Sequence, residues 1–265
     1  MLDTFDRKID YLRISVTDRC NLRCRYCMPD GEIQLLPRSE ILSYEEIIDV
    51  VQVAVAMGIR KVRLTGGEPL IKRDILHLVS ALANIGGIAD FGMSTNGILL
   101  RQFARPLAAA GLQRVNVSLD ALDPERYAYI TRGGNVALVL DGIDAALEAG
   151  LTPVKLNCVI KNSPDEKDAL EVAAFAREKG VQVRYIREMT TAEGQFWPVI
   201  GGHGGHCVSC NRLRLSSNGL VRPCLFSDLA FSVRELGPRR ALEMAVRAKP
   251  LSGAVSQNQF YEIGG

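Results

Sequence analysis

The stretch that decides the fold is LRISVTDRCNLRCRYCMP, residues 12–29, near the start of the chain. It begins like a strand, with polar and apolar side chains in alternation, and continues as a loop with cysteines in the spacing C-x3-C-x2-C. If this strand opens a βα barrel, the loop lies at the C-terminal face, where such barrels carry their active sites. We therefore expect a barrel-like fold with a metal site after its first strand.

Strand-like and helix-like segments alternate outward from this stretch. The helix-like segments are 44–57, 74–84, 101–110, 135–149 and 165–179, and the strand-like segments are 11–16, 60–64, 90–94, 114–119, 153–160 and 181–186. This alternation predicts parallel strands joined by right-handed crossovers, in about six βα units rather than the eight of a full barrel. The pattern ends near residue 190. The predicted fold is therefore α/β, a partial (βα)6 TIM-like barrel at 1–193 with a small C-terminal domain at 194–265.

Several of the predicted strands carry one polar, partly cationic face. Lys61 and Arg63 share a face by strand periodicity, as do Lys155 and Asn157. Two interpretations remain open: these strands lie at a wet edge, or their polar face lines a barrel lumen widened into a binding cavity. Parallel strands are seldom open to water, which favours the lumen. Fixed cations inside a lumen suit a phosphate-bearing ligand.

Six of the seven cysteines fall in two groups of three. Cys20, Cys24 and Cys27 form the first group, and three thiolates on a [4Fe–4S] cluster leave one iron open to bind another molecule. A structural zinc site normally closes with four ligands, and no histidine lies near this group in the sequence. We expect the first group to hold a catalytic cluster.

The second group consists of Cys207, Cys210 and Cys224, in the spacing C-x2-C-x13-C. The intervening NRLRL, SSNG and VRPCLF predict a β-hairpin that returns the third cysteine to the first two. Spacing alone leaves two interpretations equally open: an iron–sulfur cluster, or a zinc ion with His206 or His203 as the fourth ligand.

Composition limits the remaining classes. The chain has 265 residues, of which 47% are hydrophobic, and a net charge of only +2, which argues for a packed globular protein and against a general nucleic-acid binder. No apolar run is long enough to cross a membrane, and the first residues do not read as a secretory signal. We expect a cytoplasmic protein without membrane or nucleic-acid partners, in which close-set cysteines bind metal rather than form disulfides.

The motifs at the predicted strand ends resemble the radical S-adenosylmethionine (SAM) superfamily. They are the first cysteine loop, LTGGEPL at 64–70, STNG at 94–97 and VSLD at 117–120. The resemblance implies that Cys20, Cys24 and Cys27 hold a [4Fe–4S] cluster, and that the Glu68 carboxylate attracts the ammonium group of SAM. The SAM-binding positions it implies are Tyr26, Gly66, Gly67, Glu68, Thr95, Asn96, Ser118 and Met189.

A longer set of motifs resembles one family within that superfamily, the GTP 3′,8-cyclases of molybdenum cofactor biosynthesis. This set comprises the second cysteine block, RVNVSLDALDPERY at 114–127, ITRGG at 130–134 and the final two glycines. The resemblance implies that the small C-terminal domain is an iron–sulfur cluster domain, with a second [4Fe–4S] cluster on Cys207, Cys210 and Cys224 whose open iron holds the guanine. It implies catalytic roles for Arg13, Arg63, Gly264 and Gly265, and a GTP site made of Arg13, Lys61, Arg63, Lys155, Arg184, Arg212 and Arg214.

The same resemblance implies the reaction and its partners. GTP is converted to (8S)-3′,8-cyclo-7,8-dihydroguanosine 5′-triphosphate with an electron donor such as flavodoxin or ferredoxin, and cyclic pyranopterin monophosphate synthase acts next. The tail that ends in Gly264 and Gly265 is expected to reach the site and to hold a catalytic cation there, Arg13 or Arg63. A homodimer is compatible with the resemblance.

The chain departs from the family in MTTAEGQFWPVIGGHGGHC, residues 189–207, which is shorter than the family's segment before the second cysteines. Two alternatives stay open: a radical SAM enzyme with an auxiliary cluster that acts on a peptide, or an inactive metal-binding variant.

Overall fold

The computed structural model describes residues 1–28 and 33–264. Its strands are β1 (Tyr11–Ser15), β2 (Lys61–Thr65), β3 (Asp90–Thr95), β4 (Arg114–Ser118), β5 (Lys155–Ile160), β6 (Gln182–Arg187), β7 (Arg212–Leu215), β8 (Leu220–Arg222) and β9 (Phe231–Ser232). They form one sheet in the order β6-β5-β4-β3-β2-β1-β7-β8-β9. Neighbours from β6 through β1 to β7 are parallel, whereas β7, β8 and β9 pair antiparallel.

Helices connect the parallel strands. The α-helices are α1 (Tyr44–Ala56), α2 (Ile75–Ala83), α3 (Leu100–Ala109), α4 (Pro124–Thr131), α5 (Val136–Glu148), α6 (Lys167–Lys179), α7 (Val233–Leu236), α8 (Pro238–Arg247) and α9 (Phe260–Ile263), and two 3₁₀ helices span Pro69–Ile71 and Cys207–Ser209. The five predicted helices and six predicted strands are all present, with bounds that differ by one or two residues. The predicted partial (βα)6 barrel is confirmed.

Local sequence explains why these elements start where they do. Ser43 caps α1 in a capping box, because its hydroxyl accepts from the Glu46 backbone while the Glu46 side chain accepts from the Ser43 backbone. The helix α4 was not expected. Its signal is Asp123 followed by Pro124, since an aspartate N-cap and a proline at the first helical position both favour a helix start.

The main core lies between the sheet and its helices. Leu12, Ile14 and Leu64 project from neighbouring strands and are fully buried against α1 residues such as Ile47 and Val51. Burying a leucine or isoleucine of this kind stabilises the fold by roughly 1.5–3 kcal/mol. The alternate residues of the same strands therefore point to the opposite side of the sheet, which is where the site forms.

The C-terminal strands extend this sheet. The chain enters β7 beside β1, where Asn211 Nδ2 donates to Asp10 Oδ1 at 2.6 Å, and the predicted hairpin is present as β7–β8. Strands on both sides of residue 193 thus belong to one sheet, while the division into two domains there remains a prediction. No helix in the described ranges is long and apolar enough to cross a membrane.

Candidate functional site

The first cysteine group lies in the loop after β1. Its last part forms a tight turn, since the backbone nitrogens of Cys27 and Met28 both donate to the Cys24 carbonyl, at 3.1 and 2.9 Å. All three thiols are free and partly exposed. Burial raises the pKa of Cys24 above its usual range, and the charges of Asp120, Cys27 and Cys20 raise this pKa further. The three thiols are therefore close enough to influence one another electrostatically.

These thiols fit a cluster better than a single ion. In residues 1–28 and 33–264, no three His, Cys, Asp or Glu side chains converge closely enough to hold one metal ion. Ligands of one ion all lie at a single bond length from one point, whereas a four-iron cluster spreads its thiolates over separate corners of a cube. Three free thiols in one loop are the donor set that such a cluster needs.

The glycine turn after β2 allows the cysteine loop to pack closely. A Cβ on Gly66 would lie 2.7 Å from the Thr17 carbonyl oxygen, and one on Gly67 would lie 2.2 Å from that of Arg19. The Gly67 and Glu68 backbone nitrogens donate to these same two carbonyls at 2.7 and 2.8 Å. The glycines thus serve first to bring the turn against the cysteine loop.

Glu68 connects the ends of two strands. Its carboxylate is fully buried; Oε1 accepts from the Leu70 nitrogen at 3.0 Å and the Thr95 hydroxyl at 2.8 Å, and Oε2 accepts from the Asn96 nitrogen at 2.7 Å. Burial raises the pKa of Glu68 to about 7, although these hydrogen bonds oppose the rise. The carboxylate thus holds the glycine turn and the end of β3 together, and its predicted attraction to the ammonium group of SAM stays a prediction.

The other expected SAM-binding positions are distributed over neighbouring elements. The Tyr26 hydroxyl donates to Asp120 Oδ2 at 2.8 Å, just beyond the end of β4 at Ser118. Asn96 Nδ2 donates to Asn21 Oδ1 at 2.7 Å and so ties the end of β3 to the cysteine loop. Met189, by contrast, packs with the small apolar cluster of Leu225, Phe226 and Ile263. Their contact with SAM remains a prediction.

The cationic face is assembled by strand register. Arg13 on β1 lies opposite Arg63 on β2 and Arg214 on β7, so three guanidinium groups stand at one level of the sheet. Two residues earlier, Tyr11 lies opposite Lys61 and Arg212. Arg63 is 2% exposed and Arg214 is 9% exposed. The wet-edge interpretation is therefore wrong for this face.

Repulsion among these cations favours an anionic ligand. Burial, followed by the charge of Arg214, lowers the pKa of Arg13 to about 9. Burial and then the charge of Arg212 lower the pKa of Arg214 to about 10. Buried guanidinium nitrogens without a hydrogen-bond partner among the described residues occur on Arg63, Arg184 and Arg212. A bound polyanion would relieve both the repulsion and the missing hydrogen bonds.

Two members of this cationic face were not predicted from the sequence. Arg114 on β4 forms an ion pair with Asp90 through two hydrogen bonds. Burial lowers the pKa of Lys155, and the positive charges of Arg184, Arg114 and Arg63 lower it further. The strand alternation that groups Asn116 with Ser118 includes Arg114 one step earlier, so this signal was available. The other is Tyr11. Burial raises its pKa, but nearby positive charges bring the net pKa below its usual value; these are Arg63, Arg13, Arg212 and Arg114.

The second cysteine group lies beside β7 and β8. Its thiols are also free, and the charge of Cys210 affects the pKa of Cys224, so these two lie close together. The Lys249 ammonium stands next to them; burial raises the pKa of Cys210, but the charge of Lys249 and nearby hydrogen bonds bring it below its usual value. His203 accepts a hydrogen bond from Arg212 through its backbone carbonyl at 3.0 Å. The donor set again suits a cluster with three thiolates.

The end of the chain reaches the same face. Tyr261 and Ile263 of α9 are buried, and the Gly264 carbonyl accepts a short hydrogen bond from Arg214 Nη1. Gly264 has a φ of +68°, and a Cβ there would lie 1.8 Å from Thr65 Oγ1. Glycine is thus required by both conformation and space. The expected role of Gly265 lies outside the described residues.

Sequence comparison identifies known relatives of this chain. The family model of the radical SAM superfamily matches residues 14–180. A GTP 3′,8-cyclase of Thermodesulfovibrio yellowstonii is 42% identical over 282 residues, covering 89% of this chain and 88% of the relative. A GTP 3′,8-cyclase of Petrotoga mobilis is 37% identical over 323 residues, covering 100% of both chains. This alignment exceeds the 265 residues of the present chain, so the relative has residues that this chain lacks. That the additional residues of the relative lie before the position of Cys207 remains a prediction.

Solved structures show the same fold. Methylornithine synthase has a TM-score of 0.57 at 18% identity, over 74% of this chain and 60% of that chain. Streptococcus suis SuiB bound to S-adenosylmethionine has a TM-score of 0.55 at 17% identity, over 69% of this chain and 41% of that chain. The chain thus spans less than two thirds of either structure, and the likeness at such identity concerns the fold.

Proposed function

The chain belongs to the radical SAM superfamily and, within it, to the GTP 3′,8-cyclase family, and from this premise we propose the roles of its own residues in converting GTP. It is a GTP 3′,8-cyclase of molybdenum cofactor biosynthesis, with GTP as substrate and with SAM and a [4Fe–4S] cluster as cofactors. The observation that carries the proposal is the register of β1, which places Arg13 between Arg63 and Arg214. The strand of Arg13 leads into the first cysteine group, that of Arg63 leads into the glycine turn, and that of Arg214 lies between Cys210 and Cys224.

The cationic face binds the triphosphate. Several fixed guanidinium groups match the several charged oxygens of a triphosphate, and arginine can bind two oxygens of a phosphate at once. We assign this task to Arg13, Lys61, Arg63, Lys155, Arg184, Arg212 and Arg214, and add Arg114 as a neighbour that keeps Asp90 neutralised. A site held by buried residues of neighbouring strands fixes the ribose relative to the first cysteine loop.

The first cysteine loop, the glycine turn and the ends of β3 and β4 hold the cofactors. Cys20, Cys24 and Cys27 would hold the cluster there, and with SAM bound the cluster would supply the radical chemistry that takes the 3′ hydrogen of the ribose and lets the sugar bond to C8 of the guanine. The protein's part is to position GTP and to keep other C–H groups and water away. Glu68, through Thr95 and Asn96, keeps the strand ends in place for this binding.

The second cysteine group holds a second [4Fe–4S] cluster in this proposal. Cys207, Cys210 and Cys224 would again supply three thiolates, and the cluster that they hold would bind the guanine. The fixed ammonium of Lys249 beside Cys210 and Cys224 favours their thiolate forms. We further propose a cytoplasmic enzyme that receives electrons from a flavodoxin or ferredoxin and passes its product to cyclic pyranopterin monophosphate synthase.

The experiment that tests this function is an anaerobic turnover assay. Reconstituted protein with SAM and dithionite is expected to form 5′-deoxyadenosine and the cyclised nucleotide when GTP is present. ATP in place of GTP is the control and should give no cyclised product. Formation of 5′-deoxyadenosine without any cyclised product from GTP would contradict the proposal, and turnover with a peptide panel would then support the peptide-modifying alternative.

Removing one phosphate-binding arginine should weaken GTP binding. Arg212→Ala and Arg214→Ala are each expected to lower GTP affinity by about 1.5–3 kcal/mol, since each removes a charge-assisted hydrogen bond to phosphate. SAM binding should persist. The matched control is Arg239→Ala, which removes an exposed arginine of α8. Equilibrium binding of GTP measures the effect, and unchanged affinity in both variants would return these arginines to a purely structural role.

The affinity for SAM should depend on pH through Glu68. The pKa of this carboxyl is raised to about 7, so it is mostly protonated below pH 7 and charged above it. Only the charged form can accept all three of its hydrogen bonds and attract an ammonium group. Affinity is therefore expected to fall as pH decreases from 7.5 to 6, by up to about tenfold per pH unit. Equilibrium dialysis of SAM measures this, and Glu68→Gln should bind more weakly at pH 7.5 with a flat profile. A profile identical in both proteins would assign the titration to another group.

A further inference from the structure

An arginine near the start of the chain is buried against the second cysteine group. Arg7 is 7% exposed, and its Nη1 donates to the Cys207 carbonyl at 2.7 Å and to the Leu251 carbonyl at 3.1 Å. Its Nη2 donates to the Pro250 carbonyl at 2.7 Å. One guanidinium thus joins a cysteine to a segment more than forty residues further along the chain.

The guanidinium is held in this orientation by its own partner. Arg7 Nε donates to Asp3 Oδ2 at 2.6 Å, and Asp3 Oδ1 accepts from the backbone nitrogens of Phe5 and Arg7 at 2.9 and 3.0 Å. The Asp3 side chain is fully buried in this contact. A buried charge pair that satisfies this many hydrogen bonds fixes geometry, because breaking it would leave an uncompensated charge.

A lysine ties the other two cysteines to the same segment. Lys249 is 3% exposed, and its Nζ donates at 2.7 Å to the carbonyl of Arg212, two residues after Cys210, and at 2.7 Å to that of Pro223, one residue before Cys224. Lys249 directly precedes Pro250 and Leu251, to which Arg7 is bonded. Residues 249–251 are therefore the common anchor for all three cysteine segments.

We propose that Arg7 and Lys249 are positioning residues that set the separation of Cys207, Cys210 and Cys224 and so determine how firmly the second cluster is held. This inference rests on the proposed function, in that it takes the second group to hold a [4Fe–4S] cluster. Cys224 lies fourteen residues after Cys210, so the chain alone does not fix its distance from Cys207 and Cys210. Bonds from Arg7 and Lys249 to the adjoining carbonyls supply the constraint, as outer contacts do around other metal sites.

The test isolates the second group. In a parent chain with Cys20, Cys24 and Cys27 all changed to alanine, the iron bound after anaerobic reconstitution belongs to the second group, at about four atoms per chain. Arg7→Lys keeps the charge but replaces a five-donor fork by one ammonium, and Lys249→Met removes the ammonium while keeping the length of the side chain. In each variant the rate of iron loss to a chelator should rise at least about fivefold, as expected for loss of contacts around the ligands.

The matched control is Arg234→Lys. Arg234 also pairs with a carboxylate, that of Glu46, and donates to two backbone carbonyls, those of Glu40 and Ile41, but it lies near α1. The Arg234→Lys variant should leave the rate of iron loss to the chelator unchanged. In the chain with all cysteines present, Arg7→Lys should cleave SAM at the first cluster as fast as the unsubstituted chain does, which shows that the barrel is folded.

The outcomes separate the two claims. Suppose that the parent chain holds a cluster. If the Arg7→Lys and Lys249→Met variants then lose iron no faster than the Arg234→Lys variant, the positioning role is wrong, while the second cluster stands. If the parent binds zinc or no iron, the second cluster is wrong and the inference falls with it.

Discussion

Changing Cys20, Cys24 and Cys27 together to alanine is expected to abolish SAM cleavage completely, while the protein keeps the second cluster proposed for Cys207, Cys210 and Cys224. The reason is that these three thiols are the proposed ligands of the cluster that binds SAM, and a cluster of this type is held by cysteine thiolates. Iron should fall from about eight to about four atoms per chain after anaerobic reconstitution. Iron and sulfide analysis, electron resonance spectra and assay of 5′-deoxyadenosine measure the effect.

The matched control for this triple variant is Cys158→Ala. Cys158 is the remaining cysteine, buried at 1% exposure in the core of β5, and its loss should leave iron content and SAM cleavage unchanged. Residual SAM cleavage in the triple variant would contradict the assignment of the first cluster. Zinc at the second group, in protein from iron-replete cells, would show that the second cluster is wrong while leaving the first intact.

Deleting Gly264 and Gly265 is expected to stop cyclisation while both clusters, SAM binding and GTP binding persist. The Gly264 carbonyl accepts from Arg214 Nη1 beside Thr65, so the tail holds a buried guanidinium of the proposed GTP site. Without the tail the Arg214 charge stays in the site, so GTP still binds, but the guanidinium is no longer held in one orientation. Loss of one preorganised electrostatic group typically slows catalysis by roughly a hundredfold or more. The sequence led us to expect that the tail holds Arg13 or Arg63, whereas the described contact of Gly264 is with Arg214.

The measurement is product formation by full-length and truncated protein under identical reducing conditions. Gly264→Ala offers a subtler variant, because its Cβ would displace Thr65 or the tail itself, and it should slow cyclisation in the same direction. Changing exposed Gln257 to alanine, upstream of α9, is the control and should be neutral. Equal rates for the full-length and truncated proteins would show that the tail has no part in the reaction.

The sequence by itself determined the fold class, both cysteine groups and most of the cationic face. These features are local: cysteine spacing lies within single loops, and the period of a strand fixes which side chains share a face. Strand periodicity alone is therefore enough to place Lys61 and Arg63 together. The same reasoning extended to Arg114 would have found one more member, since it lies on the matching face of β4.

The tertiary structure alone decided which separate segments meet. The pairing of β7 with β1 puts Arg214 beside Arg13, and the docking of α9 puts Gly264 against Thr65. The Glu68 carboxylate likewise turns inward to Thr95 and Asn96. Such contacts depend on how the whole core packs and on the register between distant strands, which no short stretch of sequence specifies. For the same reason, only the folded chain shows that Arg7 reaches the carbonyl of Cys207.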